Sequence, residues 1–150
     1  LLLTPRGVLV IEIKSHPGRV EGDLAQWTWT SPEGRRKVID NPLPLANTKA
    51  KRLKGLLGAT KALKGRRVPW VEAAVFLGNK EARSALTGPA ATRVYARGGL
   101  QPELAIGTYL EQLGTDPQGD QLSASDLRAL RKALEELNLR RIQREFRVGR

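Results

Sequence analysis

The sequence predicts an α/β fold: a mixed central sheet flanked by helices, with a C-terminal helical extension. Three observations predict it. Val8 to Lys14 and Val71 to Leu77 are apolar runs of strand length, and a basic, leucine-bearing segment with helical spacing lies between them. Strands alternating with a long helix build a sheet whose faces are covered by helices.

Leu1 to Leu3 and Val8 to Lys14 read as a hairpin, because Thr4-Pro5-Arg6-Gly7 between them has the composition of a tight turn. Within the second strand, Leu9, Ile11 and Ile13 fall on one side and Val8 and Val10 on the other. Apolar residues on both faces mark an inner strand. Ser15-His16-Pro17-Gly18 breaks it, and Trp27–Thr30 with Lys37–Asp40 forms a second hairpin across Ser31-Pro32-Glu33-Gly34. Asn41-Pro42-Leu43-Pro44 opens a helix, since proline is tolerated in a first turn. This helix is expected over Pro44–Leu63, with Leu45, Leu53, Leu56, Leu57 and Leu63 at helical spacing. Arg93–Ala96 is a further short strand, and Gln101-Pro102-Glu103 begins a helix to about Leu113.

Gly114 to Asp120 is polar and rich in breakers, a linker. Ser123-Ala124-Ser125-Asp126 then forms a capping box with Asp in the place of Glu. The helix it opens carries Leu127, Leu130, Leu134, Leu137 and Ile142 on one stripe, so it must dock on something. The expected division is a domain over residues 1–112 and a linker with helix over 113–150.

Composition narrows the function. The absence of Cys removes disulfides, thiolate zinc sites and Cys nucleophiles, and fits a cytoplasmic protein. A single histidine, His16, argues against a His-rich metal centre. No apolar run approaches the roughly 18 residues of a membrane span. Leu-Leu-Leu-Thr-Pro at the start is neither a signal peptide nor an initiating sequence, and the chain is expected to be a piece of a longer protein.

The net charge of +11 is unevenly placed: residues 1–112 carry +9 and residues 113–150 carry +2. Arg35 to Arg67 alone holds eleven basic residues against one acid, Asp40. Such a segment suits a polyphosphate such as DNA. A solvated face, or one that meets an acidic protein, is the competing meaning.

The chemistry centres on Glu12-Ile13-Lys14. Alternation along a strand puts the carboxylate and the ammonium on one face, side by side. A carboxylate there can help to hold Mg²⁺ or Mn²⁺, and the lysine can orient water and stabilise charge on a phosphate. Alone, such a triplet is more often an ion pair closing a strand. Here it ends a doubly apolar strand, just after a hairpin and ahead of a basic helix.

Gly7 to Gly18, followed by Gly22-Asp23, Trp27, Asn41-Pro42-Leu43 and Lys49-Ala50-Lys51-Arg52-Leu53, resembles the nuclease-related domain (NERD) over roughly residues 1–112. That family belongs to the PD-(D/E)xK superfamily. The resemblance implies a restriction-endonuclease-like sheet and a Mg²⁺- or Mn²⁺-dependent nuclease core acting on DNA. Glu12 (a metal ligand) and Lys14 are its catalytic pair. It also implies that a first metal-binding Asp lies ahead of Leu1, so the chain as given is expected to be N-terminally truncated and a poor nuclease. Many members carry a Gln early in the helix, where this chain has Leu45 and Ala46.

Phe146-Arg147-Val148-Gly149-Arg150 is similar to the opening of a protein kinase's first strand. The arrangement resembles NERD domains fused ahead of Ser/Thr kinases in bacterial phage-defence systems of the phage-growth-limitation (BREX) type. A covalently linked kinase and other defence proteins are then the expected partners. A non-catalytic DNA-binding or regulatory module attached to that kinase is the alternative function.

The expected nucleic-acid contacts are Asn47, Lys49, Lys51 and Arg52. Lys49 sits four residues from both Leu45 and Leu53, on the expected apolar stripe, from which it can reach the active-site edge or snorkel to the rim. Asn47 and Lys51 share another face. Trp27 and Trp29 are expected to pack across strands rather than to stack on bases. His16 reads first as part of a turn, and Asn41 as a helix cap.

Overall fold

Along the chain the strands are Leu2–Thr4 (β1), Gly7–Lys14 (β2), Gly18–Gly22 (β3), Gln26–Thr30 (β4), Arg36–Asp40 (β5), Trp70–Leu77 (β6), Ala82–Ser84 (β7) and Val94–Ala96 (β8). The α-helices are Pro42–Gly58 (α1), Ile106–Thr115 (α2) and Ala124–Glu136 (α3). This computed structural model describes residues 1–115 and 120–137. Ile142 and the Phe146–Arg150 motif lie outside them.

The central sheet has the order β1-β2-β6-β8. β1 is antiparallel to β2, whereas β6 and β8 run parallel to it. Val8, Leu9, Ala73, Ala74 and Val75 are fully buried, so β2 and β6 are inner strands, as their doubly apolar pattern predicts. Gly7 makes their close start feasible. At its φ of 150°, a Cβ would lie 2.0 Å from the carbonyl oxygen of Trp70.

Helices cover both faces. α1 packs on the face bearing Val10, Val71 and Ala73 through Ala46 and Ala50. On the other face Tyr109 of α2 stacks on Tyr95 of β8 with ring centroids 4.3 Å apart, and burial pushes both phenols above their usual range. The protein is an α/β, restriction-endonuclease-like mixed sheet flanked by helices, with α3 as a helical extension.

A second sheet has the order β5-β4-β3-β7, in which the expected β4–β5 hairpin is joined by two strands without a clear sequence signal, β3 and β7. The parallel pair β2 and β6 passes over a corner into the parallel pair β3 and β7. Gly78 donates its N–H to Lys14 O at 2.9 Å, and the Asn79 amide donates to Ser15 O at 3.2 Å. The strand break at Ser15–Gly18 is therefore a bend after which pairing resumes. Trp27 and Trp29 turn inward from β4 into a core with Val20, Val75, Leu77 and Val94, which agrees with a packing role.

The helix after Asn41 starts and stops earlier than expected. It ends at Gly58, and Leu63 is buried in the turns beyond it. Its buried stripe is Ala46, Ala50, Leu53 and Leu57, while Leu45 and Leu56 are 61% and 45% exposed. Small residues win that face because the helix axis lies close over Ala73. Near Gln101 the chain forms a short 3-10 turn, Pro102–Leu104, before α2 begins.

Asn41 caps α1 as expected. Its side-chain oxygen accepts the Leu43 N–H at 2.9 Å, and its amide donates to Leu24 O at 3.2 Å. Asn41→Ala should lower stability by about 1–2 kcal/mol, the usual loss for a helix cap, as a shift in the midpoint of denaturant unfolding.

Candidate active site

Glu12 and Lys14 leave β2 on the face that also bears Val8 and Val10. Register sets them beside Val75 and Leu77 of β6, at the corner where the first sheet gives way to the second. The Lys14 ammonium lies 3.2 Å from Glu12 Oε1, and the Lys49 ammonium 3.7 Å from Glu12 Oε2. Each carboxylate oxygen thus faces one lysine. Lys49 reaches Glu12 from the rim of the α1 stripe rather than from its centre, because that stripe runs through the alanines. It is the predicted binding residue that the fold brings to Glu12 and Lys14.

The other three are apart from it. Helical geometry turns Asn47 and Lys51 to the opposite flank of α1, and puts Arg52 on the Lys49 side, about one turn further on. Nor is the basic run a single patch. Beyond α1, Arg66 pairs with Asp126 at 2.6 Å and Arg67 with Asp120 at 3.0 Å, both acids of the C-terminal segment.

Glu12 and Lys14 open onto a cleft of about 660 Å³ whose wall includes His16, Lys37, Asp40, Asn41 and Pro44. Its far side, Leu24 and Ala25, belongs to the β3–β4 turn and is fixed by Asp23. That carboxylate accepts the Ala25 and Gln26 N–H groups at 2.8 and 2.9 Å, and these bonds, Gln26's above all, hold it below the usual carboxylate range. Lys37 and Asp40 escaped the sequence-based site. Only the pairing of β5 with β4 brings them to the cleft, although Asp40 stood out as the one acid of the basic run.

Side chains 26% and 32% exposed make the Lys14–Glu12 pair worth no more than about 1 kcal/mol to the fold. Stability therefore does not explain two charges at the end of an inner strand. As for a metal ion, Glu12 offers one carboxylate, with both oxygens turned to lysines, and no group of three or more metal-ligating side chains exists among the described residues. Those residues do not by themselves make a Mg²⁺ site, which needs several oxygen ligands. What they do provide is two partly exposed ammonium groups held on either side of one carboxylate.

Residues 1–78 match the family model of the nuclease-related domain. The chain belongs to the NERD family. It is similar to a Streptomyces coelicolor protein named probable kinase PglW, with 29% identity over 151 residues, 99% of this chain and 9% of that protein. The chain thus spans less than a tenth of the length of this relative. No solved structure matches. No helix among the described residues is long and apolar enough to cross a membrane.

Proposed function

We propose that this domain is the DNA-engaging core of a divalent-metal-dependent nuclease of a phage-defence protein. The observation that carries this reading is the Glu12–Lys14–Lys49 cluster, of which Glu12 and Lys14 line the cleft. Lys14 and Lys49 draw a phosphodiester to the end of β2, and Lys14 stabilises the charge that develops on it. Glu12 orients both ammonium groups and supplies one oxygen towards Mg²⁺ or Mn²⁺. The remaining metal ligands must come from outside the described residues. In this proposal residues 1–112 are the nuclease-like domain, and residues 113–150 lead towards a linked kinase. The test is nicking of supercoiled plasmid by an N-terminally longer version of the protein, with and without each divalent ion.

A second reading has its own support. The incomplete ligand set, together with a relative named as a kinase, favours a non-catalytic DNA-binding module that regulates such a kinase. Binding without cleavage under any metal would select it.

Both readings require charge-driven binding along α1. Affinity for DNA should fall linearly on a log–log salt plot, with a slope of about −0.9 for each phosphate neutralised. Lys51→Ala with Arg52→Ala should weaken binding to all DNA sequences alike and flatten the slope by about 2. Fluorescence anisotropy across a salt series measures both. An affinity indifferent to salt would instead point to an acidic protein as the partner.

A further inference from the structure

Beside the cleft lies a smaller hollow of about 160 Å³ that the nuclease reading does not use. His16, Pro17, Trp29 and Ile39 wall it, and Arg35 and Lys37 stand at its rim. No acidic residue lines it. Its walls are firmly placed. The Trp29 indole N–H donates to Pro17 O at 2.6 Å, and the His16 ring meets the Trp29 ring edge-on, centroids 5.6 Å apart. Trp29 is almost wholly buried in the core, whereas His16 is exposed. His16, Lys37 and Ile39 also line the larger cleft, so the two spaces are adjacent. Lys14 is two residues from His16 along the chain.

We propose that this hollow receives one unpaired nucleobase of the DNA whose backbone lies in the Glu12–Lys14 cleft. A largely apolar hollow with the exposed His16 ring in its lining suits a base, and the cations beside it suit the phosphates on either side. Its small volume matters, since it admits a single ring system and not a base pair. Within a duplex the faces of the bases are hidden in the stack, so a base reaches such a slot only from a single strand, a junction or a frayed end. The substrate class is therefore DNA with an unpaired stretch at the site of engagement. This deepens the proposed function and rests on it.

The test compares a dye-labelled oligothymidine with a hairpin duplex of equal phosphate count, at one salt concentration, by fluorescence anisotropy. The single strand should bind more tightly. His16→Ala, a change at an exposed position, should lower single-strand affinity about tenfold, within the usual range for loss of base–aromatic stacking, and lower duplex affinity by much less, because His16 also borders the cleft. His16→Phe should retain the preference. A 2-aminopurine in the strand should change fluorescence on binding to the wild type but not to His16→Ala. Equal affinity for the two forms, or a His16→Ala effect that is the same on both, overturns the base slot and leaves charge-driven DNA binding standing. Failure to bind either form overturns both.

Discussion

In a version of the protein extended by the residues encoded ahead of Leu1, Lys14→Ala should slow plasmid nicking by about 100-fold or more, the usual loss when one group that stabilises transition-state charge is removed. Glu12→Ala should abolish it by removing the one carboxylate of the pair. The extension matters for a reason visible in the sheet. β1 pairs with β2 in the register Leu2 to Leu9, Leu3 to Val8 and Thr4 to Gly7, so it borders only the first residues of that strand. Continued outward in the same register, the second residue ahead of Leu1 falls opposite Glu12, with its side chain on the same face. An acid at that position would add a second carboxylate beside Glu12. Neither substitution should unfold the domain, because both side chains are partly exposed and their pairing contributes little. Unchanged circular dichroism alongside lost nicking is the expected result. A Lys14→Ala protein that cuts at the wild-type rate would show that the site lies elsewhere.

Leu130→Ala should cost about 2–5 kcal/mol, the range for truncating a leucine in a packed core. Leu130 and Ala133 of α3 are fully buried in one cluster with Val8, Leu53, Leu57 and Leu63. Backbone groups reinforce the seam, since the Glu136 carboxylate accepts the Lys61 and Ala62 N–H groups at 2.9 and 2.8 Å. α3 is thus built into the folded body, although it lies well past the residues that match the family model. Denaturant unfolding of the two proteins gives the difference directly. A cost under about 0.5 kcal/mol, typical of surface changes, would make α3 a loosely laid connector.

The parts of this structure legible in the sequence are those with strong periodic signals. β2 and β6 announce themselves as unbroken apolar runs, and period-two alternation alone places Glu12 beside Lys14. β3 gave little signal: of Gly18 to Gly22 only Val20 is apolar and buried. β7 is three residues long and holds its place by pairing with β3. The α1 stripe misled because leucines outrank alanines in any hydropathy pattern, yet the close helix–sheet contact selects alanines. The cleft and its side hollow depend on the corner after Lys14 and on the β4–β5 register, and neither leaves a local mark in the chain.

The hydrogen-bonded seam that ends α3 also sets a distance. The cleft opens at the first turn of α1, while Glu136 is held just past its last turn. A 17-residue helix separates them by about 25 Å. Residue 137 therefore lies about 25 Å from the cleft. A flexible tether would need on the order of 20 residues to span that gap on average. A module held on a shorter tether would reach the cleft only through its own bulk.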